Sequence, residues 1–258
     1  MSLFDDWCGI ANSIDGQKRL LKLSEKSGGR AKVEEQLTET VRSHYDSLDR
    51  IADDVKALGY EAAAAILKER LPRRPTARSG ELAEILATEF TEAKLDFNVP
   101  VRRLRYKDGR EMALRGDDFI GVGYDEDDGL WLLKGEAKSR KALGKATVAE
   151  AREALNRESG RCTPCSLLFV ADRLLEAEGE KAELGRTIRN EVGTKTLPPK
   201  RIDHAIFTLS GNDATAILQE DLADVAGDRN QTSINIRIED HQEFIASVYK
   251  KAGDLGND

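Results

Sequence analysis

Apolar positions recur at steps of four through the first quarter of the chain. Val33, Leu37, Val41 and Tyr45 fall on one helical face, and Leu48, Ile51 and Val55 continue the pattern. Together with the opening leucines Leu20, Leu21 and Leu23 and the alanine-rich run 61–70, they predict a helical region over residues 16–70. The segment LPRRPTARSG, residues 71–80, carries two prolines and a glycine and reads as a break. The chain is therefore expected to divide into an N-terminal helical region, 1–75, and a second region, 76–258. After the break the period changes. Residues 81–90 predict a helix, with Leu82, Ile85, Leu86 and Phe90 to one side. Strand-like runs follow at 99–106, 112–124 and 130–138, separated by turn signals at Lys107-Asp108-Gly109 and 125–129. A helix over 147–156, a short buried strand over 166–170, and strand-then-helix units with strands near 204–209 and 233–238 complete the reading. The expected class is α/β (α+β), a mixed central sheet flanked by helices.

Composition narrows this only a little. A chain of 258 residues with 40% hydrophobic and 34% charged positions can bury a core and is not disordered. No apolar run approaches the roughly 18 residues a membrane span needs. The N-terminus MSLFDDWCGI lacks the layout of a secretory signal, and three cysteines make no disulfide framework. A cytoplasmic protein is expected. The net charge of -7 does not advertise a nucleic-acid binder. The charge is uneven, however. Arg102, Arg103, Arg105, Lys107, Arg110 and Arg115 crowd one segment, and Lys138, Arg140, Lys141 and Lys145 another. Arg102, Arg103, Arg105, Arg140, Lys141 and Lys145 are the candidates for contacting nucleic acid, although basic clusters are often no more than a solvated face.

The chemistry lies between these clusters, in LWLLKGEAK. Strand side chains alternate, so Trp131, Leu133, Gly135 and Ala137 share one face and Lys134, Glu136 and Lys138 the other. An acid and a lysine thus emerge side by side from an otherwise apolar strand. Two further acid-x-Lys triplets, Asp54-Val55-Lys56 and Glu92-Ala93-Lys94, fall in predicted helices, where positions two apart do not face each other. Alone, the pattern could be a surface ion pair. Its setting is RGDDFIGVGY on the preceding strand, whose Asp117 or Asp118 can be brought to Glu136 by hairpin pairing. Alternation does not choose between the two aspartates. Carboxylates gathered this way repel unless a cation sits between them, and oxygen donors suit Mg²⁺ or Mn²⁺. A lysine alongside can neutralise charge growing on a phosphate oxygen. Glu81, opening the helix after the break, is the candidate third acid, with Glu84 one turn later as its competitor.

At these residues the chain resembles the PD-(D/E)xK nuclease superfamily, and more narrowly the HamA family, the nuclease subunits of the Hachiman anti-phage system. The segments that carry the resemblance are R-S-G-E-L-A-E-I at 78–85, G-D-D-F-I-G-V at 116–122 and G-E-A-K at 135–138. It implies a restriction-endonuclease-like core cleaving DNA with Mg²⁺. Asp118, Glu136 and Glu81 would bind the metal, with Asp117 the alternative aspartate and Lys138 the catalytic lysine. The proline of the superfamily's name is absent; Gly116 and Asp117 precede Asp118. The resemblance also implies a superfamily 2 helicase partner, HamB, that loads DNA, which would reconcile an acidic chain with a DNA substrate. The alternatives are a non-catalytic nuclease-fold module docking a helicase or DNA, and a restriction or repair nuclease of another system.

Other features carry less. Cys162 and Cys165 form a single CxxC, too few ligands for a closed zinc site, and read as structural thiols. His44, His204 and His241 stand singly. The acidic run 125–128 does not fit an EF-hand and reads as a solvated hairpin tip.

Overall fold

A computed structural model of the chain describes residues 2–125 and 129–256. The acidic run read as a hairpin tip lies largely outside the described residues. Helix α1 (Leu3–Trp7) leads into strands β1 (Cys8–Asp15) and β2 (Lys18–Glu25), then α2 (Gly29–Tyr45), α3 (Leu48–Leu58), α4 (Tyr60–Arg70) and α5 (Pro75–Lys94). Strands β3 (Phe119–Asp125) and β4 (Gly129–Arg140) follow, then α6 (Lys145–Asn156), α7 (Pro164–Leu175) and α8 (Glu180–Thr194). The chain closes with β5 (Ile202–Ser210), α9 (Thr215–Asp224), β6 (Gln231–Arg237) and α10 (His241–Ala252).

The six strands form one mixed sheet in the order β1-β2-β6-β5-β4-β3. β2, β6, β5 and β4 run parallel, and an antiparallel hairpin sits at each end, β1–β2 and β3–β4. Helices cover both faces. On one, Leu82, Ile85, Leu86 and Phe90 of α5 join Leu37, Val41, Phe244 and Val248 over Leu133, Ala137, Phe207 and Ile236. On the other, α7 and α8 cover Ile120, Val122 and Leu132, while α6 and α9 cover Leu20 and Ile206. A sheet apolar on both faces needs two helical layers, which is why its central strands read as continuous hydrophobic runs.

Several sequence expectations need correction. The segment opened by Leu20, Leu21 and Leu23 is a strand, not a helix: Leu21 and Leu23 enter one core and Leu20 the opposite one. The N-terminal region 1–75 is therefore not wholly helical, and both the sheet and the largest core run across residue 75. The break at 71–80 is short, because α5 starts at Pro75, a residue suited to the first helical turn. Residues 99–106 are not a strand. Only Asn98 bridges to Val122, and Arg103–Tyr106 form a 3-10 turn. Residues 166–170 lie in α7, which Pro164 opens.

Gly135 illustrates how tightly the β3–β4 hairpin is built. It pairs with Phe119, and a Cβ added there would lie 2.2 Å from that ring. Phe119 is 1% exposed and has nowhere to retreat. Gly135→Ala should cost about 1–3 kcal/mol through overpacking, read as a lowered urea midpoint; an unchanged midpoint would show that the ring can move aside freely.

Candidate active site

β4 presents two faces, as its alternation requires. Leu133 and Ala137 enter the core beneath α5, whereas Lys134, Glu136 and Lys138 look toward the opposite layer. Glu136 is buried, and its Oε1 accepts a hydrogen bond from Lys138 Nζ at 2.6 Å. The register Phe119↔Gly135, continued one residue, sets Asp118 opposite Glu136. Asp118 Oδ2 accepts the Ala137 N–H at 2.8 Å, and the two carboxyl groups come within hydrogen-bonding reach. The choice left open by alternation is thus resolved in position: it is Asp118 that meets Glu136.

Asp117 has other engagements. Its carboxylate accepts the Thr163 N–H at 2.7 Å and the Thr163 hydroxyl at 3.2 Å, at the start of α7. Lys134 Nζ stands 3.6 Å away, and the Asp117 N–H donates to Ser166 Oγ at 2.8 Å. A carboxylate at a helix N-terminus is favoured by the unpaired amides and the dipole, so Asp117 anchors α7 to the turn that carries Asp118. Gly116 makes this close approach possible. It has φ +94°, and a Cβ there would collide with Ser166 Oγ at 2.1 Å.

The two α5 acids separate. Glu81 is buried; its Oε2 accepts from Tyr45 at 2.7 Å, and Lys107 pairs with its Oε1. Tyr45 also shares a hydrogen bond with Tyr249 at 2.8 Å, tying α2, α5 and α10 together. Glu84 instead lines a small cavity with Asp118, His44, Thr88 and Arg103. Burial raises the carboxyl pKa of Glu84 well above the ordinary range, and the Asp118 charge pushes it further. Burial also raises Asp118, against the Ala137 N–H and the Lys138 and Arg103 charges. Glu136 is pushed up to about 7, first by burial and then by Asp118, with Lys138 opposing. Burial works to lower Lys138, and the Glu136 carboxylate outweighs it, leaving the amine more firmly protonated than usual. Asp118 therefore stands between two acids that it repels, Glu84 and Glu136, with the Lys138 ammonium beside Glu136.

The basic candidates scatter. Arg103 is buried and donates to the carbonyls of Arg115 and Asp117, so it is not a surface contact for nucleic acid. Arg102 pairs with Glu92 at 2.5 Å and Glu89 at 3.1 Å, and Arg105 donates to the Ser43 carbonyl at 2.7 Å. Arg140, Lys141 and Lys145 are exposed where β4 ends and α6 begins, with Lys145 reaching Glu220 at 2.6 Å. Two residues near the site went unassigned in the sequence: Glu150 of α6, whose charge reaches Lys138, and Tyr45, which holds Glu81. Helical spacing from Thr147 could have placed Glu150 toward β4; nothing local marks Tyr45. Cys8 and Cys162 are buried with raised thiol pKa values and Cys165 is exposed; all three are free. His44, His204 and His241 are buried and bonded to Glu89, the Gly160 carbonyl and Ser139 respectively.

Fold and site together define a three-layer, mixed-sheet α/β protein. Its edge hairpin brings Asp118 to Glu136 and Lys138, and its longest helix sets Glu84 beside Asp118. The chain belongs to the HamA family, whose model matches residues 1–252. It is similar to the "Hachiman protein HamA" of Bacillus cereus, 29% identical over 181 residues, which covers 70% of this chain and 63% of that protein. The chain thus spans less than two thirds of that relative's length. No described helix is long and apolar enough to cross a membrane.

Proposed function

We propose that this chain is a metal-dependent DNA endonuclease acting in Hachiman anti-phage defence with a helicase partner. Its membership of the HamA family supports the defence role. The observation that carries the chemistry is the meeting of Asp118 with Glu136 beside a Glu136–Lys138 pair, with Glu84 coupled to Asp118 from α5.

The donor set fits a divalent cation in its chemistry. All three acids are oxygen donors, burial raises all three, and the repulsion of Asp118 with each of the other two is what a cation beside it relieves. It is not preassembled: among the described residues no three acid, histidine or cysteine side chains already form a metal-ligand group, and Glu136 is engaged by Lys138. Glu84, Asp118 and Glu136 would hold the ion, with Glu84 taking the part expected of Glu81. Bound there, Mg²⁺ or Mn²⁺ supplies Lewis acidity toward a phosphodiester and a water. The protein's own contribution is electrostatic. Lys138 places a fixed ammonium where charge grows on phosphate oxygens, and the buried setting strengthens that attraction. Arg140, Lys141 and Lys145 are exposed cations that follow Lys138 in sequence and would hold the DNA backbone.

Supercoiled plasmid is the test substrate, incubated with the chain alone and with its helicase partner, in Mg²⁺, Mn²⁺ or chelator. Nicking is expected only with a divalent ion. Glu84→Gln should lower it on the order of 100-fold, and Glu81→Gln by about tenfold or less, since Glu81 acts through its neighbours. No cleavage by either preparation with either metal would sink the proposal. That outcome would favour a non-catalytic docking module.

A further inference from the structure

Arg103 lies in the basic segment, yet its side chain does none of the things a surface arginine does. It is 8% exposed, its carbon skeleton is enclosed, and its guanidinium sits 5.8 Å from the centre of the Phe169 ring. One terminal nitrogen donates to the Asp117 carbonyl and the other to the Arg115 carbonyl, the latter at 2.6 Å. The fork therefore clasps the backbone on both sides of Gly116, the residue at φ +94°. The same side chain lines the small cavity with Glu84 and Asp118, and its Nε is buried without a hydrogen-bond partner.

We infer that Arg103 is a positioning residue: its guanidinium fork fixes the 115–117 turn and so holds the Asp118 carboxylate against the Ala137 N–H, beside Glu136 and Glu84. Planar, two-pronged donation is what a guanidinium provides and an ammonium cannot. From the other side, Ser166 and Thr163 grip Asp117. The turn is thus clamped between α7 and Arg103, and Asp118 is the next residue along. Only the metal-binding consequence rests on the nuclease reading; the positioning itself does not.

The Ala137 amide is the reporter. It donates to Asp118 rather than to a neighbouring strand, so its hydrogen exchange registers where Asp118 is. Arg103→Lys should speed exchange at Ala137 about tenfold while amides in β5 keep their protection. Mn²⁺ affinity, measured by calorimetry, should fall about tenfold. In cleavage assays kcat should drop with little change in the KM for DNA. A DNA-contacting arginine would do the reverse, raising KM and flattening the salt dependence. Should Arg103→Lys fail to fold, Arg103→Gln and Ser166→Ala loosen the same turn more mildly and should show the same Ala137 signal. Unchanged exchange at Ala137 in any folded Arg103 variant overturns the inference, whatever the cleavage result. If Ala137 exchange rises but the wild-type chain neither binds Mn²⁺ nor cuts DNA, the positioning stands and the nuclease reading fails.

Discussion

The double variant Glu136→Ala, Lys138→Ala should lose DNA cleavage by on the order of 10³-fold or more while folding as well as the parent, or better. The loss follows from removing an acid and the ammonium paired with it, groups that act as a unit in charge stabilisation. The retained stability is the more diagnostic half. Removing one member of a buried pair strands the other and is strongly destabilising; removing both does not. Burial, and after it the repulsion of Asp118, moreover drive the Glu136 pKa to about 7, so the native state gains nothing from its charge. Sites that carry function this way are commonly a cost to stability. Thermal melts and plasmid nicking on the same preparation check both halves. Cleavage that survives would remove these residues from the chemistry. A collapse in melting temperature would make them structural.

The second large effect is a loss of stability with rising pH in the metal-free chain. Glu136 binds its proton more tightly folded, at about 7, than at its ordinary 4.5. Between those values the native state carries more protons than the unfolded state, so unfolding free energy falls as pH rises. The contribution is complete below about pH 4.5 and gone above about pH 7. A displacement of that size corresponds to about 3 kcal/mol. Glu84 and Asp118 are raised as well and act in the same direction. Melting in chelator should therefore show a midpoint that declines from pH 5 to pH 8, and Glu136→Gln should flatten the slope. Divalent metal should reverse it, because ligands must shed protons to bind. A metal-free midpoint that rises over this range would refute the electrostatic account.

Much of the site could be read before the fold was known, and particular residues show why. Glu136 and Lys138 are two apart in a strongly apolar strand, and period-two alternation suffices to pair them. Asp118 needed the hairpin register, which alternation alone does not give, since a slip of one residue exchanges Asp117 for Asp118. Glu84 over Glu81 depended on where α5 begins. With Pro75 as its start, Glu81 is no longer a first-turn residue and turns to Tyr45 and Lys107. Arg103 was illegible because a buried arginine and a DNA-contacting one have the same local sequence; the difference lies in Phe169 and two distant carbonyls. The helices α2 to α4 and strands β5 and β6 followed their periodicities. Leu20–Leu23 misled for a definite reason: adjacent leucines in a strand covered on both faces mimic a short buried helix. The short apolar run in α7 posed the same ambiguity in reverse.

The placement of β2 has a consequence for biosynthesis. Lys18 of β2 pairs with Gln231 of β6, so the middle of the sheet is closed by the last of the six described strands to leave the ribosome. Until then the leucines of β2 have no partner strand on that side, and contacts so distant in sequence form slowly. A nascent or truncated chain could carry every acid of the cluster and still lack the platform that aligns them. Under the proposed nuclease activity, that delay would keep unfinished copies harmless.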